Sequence, residues 1–199
     1  MKIPQIITKD TTTNYSFEQY LELESQNDYK SEFYDGNMVA MAGSTLEHST
    51  LTQNINFLIR QGLKNACHTH NNDIKIFVEA ANRGFYPDVS IVCGEIESYK
   101  NRNGIITNPN VIVEVLSDST EGYDRTEKFD YYKLLPSFEC YILVSQNRKC
   151  VDVFTKKGNF WASEIYYETK PLIVIETLEI LIKLEDVYKG VNITTEKHE

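Results

Sequence analysis

The sequence predicts a mixed α/β domain in which a mostly antiparallel sheet is flanked by helices. Three observations predict it. Leu51, Ile55, Leu58, Ile59 and Leu63 recur at helical spacing and form one apolar stripe. Val111-Ile-Val-Glu-Val-Leu116 is an apolar run of strand length, as expected of a buried central strand. The order of patterns is helix, hairpin, helix, three strands, helix and more strands. There is no repeat, linker or low-complexity stretch, and 199 residues suit one domain with a full core, which we place at about residues 15–188 of a single domain 1–199.

Taken in order, residues 1–14 read as a loose lead-in without the apolar stretch of a signal peptide. No apolar run approaches the ~20 residues of a membrane span. A cytoplasmic location is the default expectation. Ser16-Phe-Glu-Gln19 has the form of a capping box and predicts a helix over 17–25. Asp35-Gly36 is a turn signal inside a hairpin over 30–42. Ser44-Thr-Leu-Glu47 reads as a second capping box, opening the helix that carries the Leu51 stripe, with His48 in its first turn.

Residues 74–80 alternate as a strand, 82–84 turn, 85–93 form the next strand and 94–109 a polar loop. After the 110–116 strand a helix is predicted over 120–135, stopped by Pro136. Strands follow over 138–145 and 149–155, joined at Gln146-Asn147-Arg148. Further strands are expected over 159–168 and 178–184, then a short helix after Leu184 and a frayed end over 192–199. Trp161 and Tyr166-Tyr167 alternate as core or dimer surface. Cys67, Cys93, Cys140 and Cys150 show no CxxC spacing and are expected to be reduced, structural thiols. His68-Thr-His70 lacks further ligand-type neighbours and reads as a polar loop.

Composition, at 41% hydrophobic and 25% charged, excludes a disordered chain. A net charge of −9 counts against loose, phosphate-driven nucleic-acid binding, which wants a basic face. A metal ion in a site can supply the positive charge that the chain lacks.

Two carboxylates stand where apolar residues belong. Glu114 interrupts the most apolar run, and Asp88 sits between Pro87 and Val89-Ser-Ile-Val92. An unpaired ionised carboxylate buried in such a strand costs several kcal/mol, so a cation, hydrogen bonds or a proton must offset it. Either acid alone could pair with Arg or Lys, or reach solvent at a strand end. Two on successive strands suggest one shared hard cation, Mg²⁺ or Mn²⁺, which takes oxygen ligands of this kind. Asp124 and Lys128 are four apart on the following helix and share a face that Tyr131 extends, while Phe129, Tyr132 and Leu135 form the core stripe. The plain alternative for Asp124 and Lys128 is a surface salt bridge worth little.

These residues resemble the Uma-two family of restriction-endonuclease-like proteins in the PD-(D/E)xK nuclease superfamily. The resemblance rests on Pro87-Asp88, Glu114 within Val111-Ile-Val-Glu-Val-Leu-Ser117, Asp124, Lys128 and Tyr131. Upstream it takes in Glu32, Tyr34-Asp-Gly-Asn-Met-Val39 and Glu47-His48; downstream, the Tyr141-Ile-Leu-Val144 and Val151-Asp-Val-Phe154 strands. It covers about residues 15–188 and implies a restriction-endonuclease-like core with Asp88 and Glu114 as metal ligands. One departure is visible: the superfamily places a Lys two residues after the acidic strand residue, and Leu116 stands there. The Uma-two pattern draws the lysine from the next helix, which matches Lys128.

Glu32 reads as a third acidic member or as an exposed strand residue. His48 can hydrogen-bond a phosphate or a metal-bound water, or simply lie at the surface. Ser117 and Thr120 read as caps at the strand-to-helix turn. The function expected is Mg²⁺- or Mn²⁺-dependent hydrolysis of phosphodiester bonds, with DNA as partner. Asp88, Glu114, Lys128, Glu32 and Asp124 form the catalytic set, with His48 and Tyr131 toward substrate. A nuclease-fold binding or assembly module is the alternative, and an enzyme on a non-nucleic substrate ranks last. Superfamily members are often dimers, so a homodimer is expected.

Overall fold

A computed structural model describes residues 14–41, 43–64 and 66–193. The predicted lead-in over 1–13 and the frayed end over 194–199 lie outside the described residues. Helix α1 (Phe17–Glu24) begins on the Ser16–Gln19 capping box, with both reciprocal hydrogen bonds made. The hairpin follows as β1 (Ser31–Tyr34) and β2 (Asn37–Ala40), turning at Asp35 and Gly36, both with positive φ. Helix α2 (Leu46–Gly62) is capped by the Thr45 hydroxyl, which accepts from the His48 amide. The predicted box from Ser44 is therefore one residue out of phase: Thr45 is the N-cap, with the extended backbone that brings its side chain over the helix end.

Next come β3 (Cys67–Asn71), β4 (Lys75–Val78), β5 (Arg83–Phe85), β6 (Val89–Cys93), β7 (Ile105–Ile106) and β8 (Val111–Leu116). Helices α3 (Glu121–Asp124) and α4 (Glu127–Tyr132) lead to β9 (Cys140–Ser145), β10 (Val151–Lys157) and β11 (Phe160–Tyr166). The described chain closes with β12 (Leu172–Ile175), β13 (Ile180–Lys183) and α5 (Leu184–Val187). The central sheet runs β11-β10-β9-β8-β6-β3 and is antiparallel except between β8 and β9, whose connection passes through α3 and α4. A second sheet runs β2-β1-β5-β4-β7, and β12 pairs with β13.

Alternation on β8 divides the core. Val111, Val113 and Val115 face α2, α5 and the β12–β13 hairpin, packing on Leu51, Ile55 and Ile59. Ile112 and Leu116 face the other way, against Phe129 and Tyr132 of α4 and against Ile76, Val78 and Phe85 of the second sheet. Glu114 shares the parity of Ile112 and Leu116, so it points into this second layer. A third cluster, Phe17, Tyr20, Phe33 and Phe77, seats α1 on the far face of the second sheet.

Four expectations need correction. The predicted 85–93 strand is two strands in different sheets, parted at Tyr86-Pro87-Asp88, where Pro87 has no N–H for a ladder. The predicted 120–135 helix is broken at Thr126 (φ −125°, ψ −92°), where the Arg125 guanidinium is drawn away to Glu121 and to buried Asp152. Leu172–Ile175 is a strand that the sequence reading passed over. His68-Thr-His70 is not a loop but the middle of β3, paired with β6 along its whole length.

That last pairing overturns the expectation of four free thiols. Cys67 and Cys93 face each other in the β3–β6 register and form a disulfide; Cys140 and Cys150 are free and buried. A disulfide is uncommon in a reducing compartment, which removes one support from the cytoplasmic expectation. Among the described residues no helix is long and apolar enough to cross a membrane. Closing a loop of separation 26 stabilises the fold by about 3.5 kcal/mol on a chain-entropy estimate. Alkylation of unfolded, unreduced protein should modify two cysteines, Cys140 and Cys150, and reduction should raise the count to four. Four modified cysteines before reduction would refute the pairing.

Candidate functional site

The site forms where β8, the start of β6 and α4 meet. Val89 pairs with Val113, so the residue before β6, Asp88, continues the register opposite Glu114. The Asp88 amide donates to Glu114 Oε2 at 3.4 Å, and the Val115 amide donates to Asp88 Oδ2 at 2.7 Å. From α4, Lys128 Nζ lies 2.8 Å from Glu114 Oε1, and the Tyr132 hydroxyl donates to the same oxygen at 3.0 Å. Lys128 Nζ is also 3.6 Å from Glu32 Oε1 and 3.5 Å from Asp124 Oδ1. Glu32 is held in turn by the Tyr86 amide at 3.1 Å and by the Tyr34 hydroxyl.

Asp124 and Lys128, four apart, turn inward together from either side of the break between α3 and α4. Both are buried, at 4% and 6% exposure, so this is not a surface ion pair. The Tyr141 hydroxyl donates to the Asp124 carbonyl at 3.0 Å and anchors the end of α3 on β9. His48 comes from the opposite layer, off the first turn of α2. Its Nε2 lies 3.2 Å from Asp88 Oδ2, and its Nδ1 is 3.0 Å from the Ser44 hydroxyl.

Three acids thus surround one lysine, with Asp88 beside Glu114 as a fourth. Burial pushes the Glu114 carboxyl up to about 8, with the charges of Asp124 and Asp88 adding to it against the pull of Lys128. Burial likewise raises Asp124. Burial opposes the Lys128 charge, but Glu114 and Glu32 outweigh it and hold the ammonium well above its ordinary value. For His48, burial works downward, and the hydrogen bond and charge of Asp88 overcome it to raise the imidazole. The lysine stays charged, and part of the surplus negative charge is held as protons.

Asp88 and Glu114 offer hard oxygen donors of the kind Mg²⁺ and Mn²⁺ take. Among the described residues Asp88 Oδ1 has no protein hydrogen-bond partner, and Glu114 Oε2 has only the long contact to the Asp88 amide. Among those residues no three His, Cys, Asp or Glu side chains converge as a ready metal cage. An ion held by this pair would take its other positions from backbone oxygen and water.

Asp88, Glu114, Lys128, Glu32, Asp124 and His48 therefore stand in one connected set. Tyr131 stands apart from the carboxylates: its hydroxyl accepts from Arg83 Nη2 at 3.4 Å. Tyr132, read from the sequence as core alone, is the tyrosine that meets Glu114. Its spacing of four from Lys128 was the available signal. Tyr34 and Tyr86 were also missed, since neither a side-chain bond along one hairpin arm nor a backbone donor leaves a motif.

A mixed sheet with an acidic central strand and a lysine leaning in from the next helix defines a restriction-endonuclease-like protein. Residues 17–185 match the profile of the Uma2 family, described as "Putative restriction endonuclease", and the chain belongs to that family. It is 31% identical over 150 residues to uncharacterized protein sll1609 of Synechocystis sp. (strain ATCC 27184 / PCC 6803 / Kazusa), covering 75% of this chain and 85% of that one. It is 30% identical over 174 residues to uncharacterized protein slr1290 of the same organism, covering 87% and 90%. A crystal structure from Anabaena variabilis ATCC 29413, described as a "putative nuclease belonging to DUF820", superposes with a TM-score of 0.70 at 16% identity. It covers 87% of this chain and 97% of that one, which establishes the shared fold.

The Glu114 shift fixes the sign of a stability change. Below its ordinary value of 4.5 both folded and unfolded chains hold the proton; from there to about 8 the folded chain holds it preferentially. Stability from this group is therefore lost as pH rises through that window. In metal-free buffer the unfolding midpoint should fall more between about pH 5 and pH 8 for the wild type than for Glu114→Gln. Equal falls would show that Glu114 is not the titrating group.

Proposed function

We propose that this chain is a metal-dependent endonuclease that hydrolyses phosphodiester bonds, with DNA as its substrate. The observation that carries the reading is the buried excess of carboxylate over lysine: Glu32, Glu114 and Asp124 all within 3.6 Å of Lys128 Nζ, with Asp88 across the strand pair. Such an excess attracts cations, and the family's description gives the reaction class.

In this reading Asp88 and Glu114 hold the metal, which when bound lowers the pKa of a water and offsets charge on the phosphate. Lys128 orients the attacking water and steadies the charge that develops on the phosphate oxygens. Asp124 and Glu32 fix the ammonium between them. Tyr132 holds one oxygen of Glu114 and so aims the other toward Asp88. His48 fixes the Asp88 carboxylate through Nε2 and donates to a phosphate from Nδ1 only once the Ser44 hydroxyl gives way, while Tyr131 lies on the substrate side. A homodimer would let two such sites address the two strands of a duplex.

A second reading keeps the fold as a binding or assembly module. It is favoured by Leu116 in the position where the superfamily carries its lysine, and by the absence of a converging ligand trio among the described residues. Calorimetry with Mn²⁺ separates the two, because the module reading requires no binding at millimolar metal.

Incubation with supercoiled DNA and Mg²⁺ or Mn²⁺ tests the nuclease directly. Wild type should nick the plasmid. Asp88→Ala, Glu114→Ala and Lys128→Ala should each lose on the order of 100-fold or more in rate. Equal background from wild type and all three variants would sink the proposal.

A further inference from the structure

Beside the carboxylates lies a cation that the roles given above do not use. Arg83 opens β5 and pairs across the sheet with Tyr34, whose hydroxyl holds Glu32. Two residues on, and on the same face of β5, the Phe85 ring lies 5.7 Å from Lys128 Nζ. The Arg83 guanidinium rests between aromatic faces, its Cζ 4.9 Å from the centre of the Tyr131 ring and 5.8 Å from that of Tyr34. Its Nε and Nη1 are buried and have no hydrogen-bond partner among the described residues. Its Nη2 reaches only the Tyr131 hydroxyl, at 3.4 Å.

Arg83 offers only donors, and so leaves an unmet demand for acceptors around Tyr34. Leaving the buried donors of a half-buried guanidinium unpaired destabilises a fold, and cation–π contact with two tyrosines offsets only part of that. The planar donor fork of arginine matches a phosphate with two parallel hydrogen bonds. In a chain of net charge −9 a local cation of this kind decides where a polyanion can approach.

We infer that Arg83 is a phosphate-receiving residue. It takes a backbone phosphate of the nucleic-acid strand next to the one that is cut, with the Tyr131 hydroxyl holding that place until the strand arrives. The occupant takes Nη2 from the Tyr131 hydroxyl and reaches Nε, the donor on the same edge of the guanidinium, by displacing the Tyr131 ring. This deepens the nuclease reading and rests on it for the source of the phosphate; the demand for an anion rests on Arg83 alone.

The test uses full-length protein in EDTA, with wild type, Arg83→Gln and Arg83→Lys. Inorganic phosphate is titrated by calorimetry, a labelled duplex oligonucleotide is titrated by anisotropy across a salt series, and thermal unfolding is recorded for each protein. Arg83→Gln should abolish the phosphate heat and weaken duplex binding about tenfold. It should also flatten the slope of log affinity against log salt by about one. Arg83→Lys should keep the slope while losing part of the affinity. Because the wild-type cation is unpaired, Arg83→Gln should unfold at the same temperature or higher. A lower midpoint with unchanged duplex affinity and slope would make Arg83 a structural residue and overturn the inference. Wild type binding phosphate but no oligonucleotide would uphold the anion site and refute the nuclease reading. Plasmid cleavage with unchanged KM in Arg83→Gln would do the reverse.

Discussion

The structure turns on one buried contact, the 2.8 Å pair between Lys128 and Glu114. A carboxylate in the middle of a strand buried on both faces is tolerable only if a partner reaches it. The fold is arranged so that one does. The β8–β9 connection must cross over because those strands are parallel, and the crossover lays α3 and α4 along the face of β8 that carries Glu114. Asp124, Lys128 and Tyr132 stand at intervals of four and so turn the same way, onto that face, across the break at Thr126. Arg125, tied to Asp152 on β10, holds the break in place. Removing either partner of the central pair strands the other in an apolar layer, a change that typically costs about 3–5 kcal/mol.

The second acid depends on a different device. Asp88 belongs to no strand; it lies in the three residues by which the chain leaves the second sheet and enters the central one. Pro87 frees this segment from either ladder. Its geometry is set instead by the Tyr86 amide on Glu32, the Asp88 amide on Glu114 and the Val115 amide on Asp88. Each of those bonds joins one acid of the site to the backbone beside another. Glu32, Asp88 and Glu114 therefore move as a unit, and His48 ties that unit to the α2 layer on the other side of the sheet.

Much of this was legible in the sequence where the physics is local. Ser16–Gln19 announced its helix because a capping box is a bond between near neighbours. The Leu51 stripe and the apolar Val111–Leu116 run marked the two elements that build the core, and the misplaced acids marked residues that the fold brings together. What stayed hidden depends on partners far apart along the chain. β3 is too polar to read as a strand, with its pattern Cys-His-Thr-His-Asn, and is made a strand by pairing with β6; without it Cys67 has no visible mate. The helix breaks at Thr126, beside Arg125, whose partner Asp152 stands 27 residues further on where no local propensity predicts it. Tyr132 was visible as core but not as the donor to Glu114, because parity on β8 is needed before the two can be placed together.

A second buried lysine shows why burial alone does not mark the site. Lys75 is as enclosed as Lys128, pairs with Glu24, and lies 3.9 Å from the Tyr20 ring centre and 4.8 Å from that of Tyr86. Yet the two lysines shift in opposite directions. Burial lowers Lys75 to about 8 despite the attraction of Glu24, whereas Glu114, Glu32 and Asp124 together hold Lys128 well above its ordinary value. The difference is the number of acids. One carboxylate balances one ammonium, and the Lys75 cluster, closed by Tyr20 and Tyr86, has no charge to spare; it seats α1 against the second sheet and steadies Tyr86 ahead of Asp88. Around Lys128 the acids outnumber the cation, and the surplus must be met by protons or by something from outside. It is this imbalance, rather than the presence of buried charge, that separates a structural ion pair from a place where chemistry can occur.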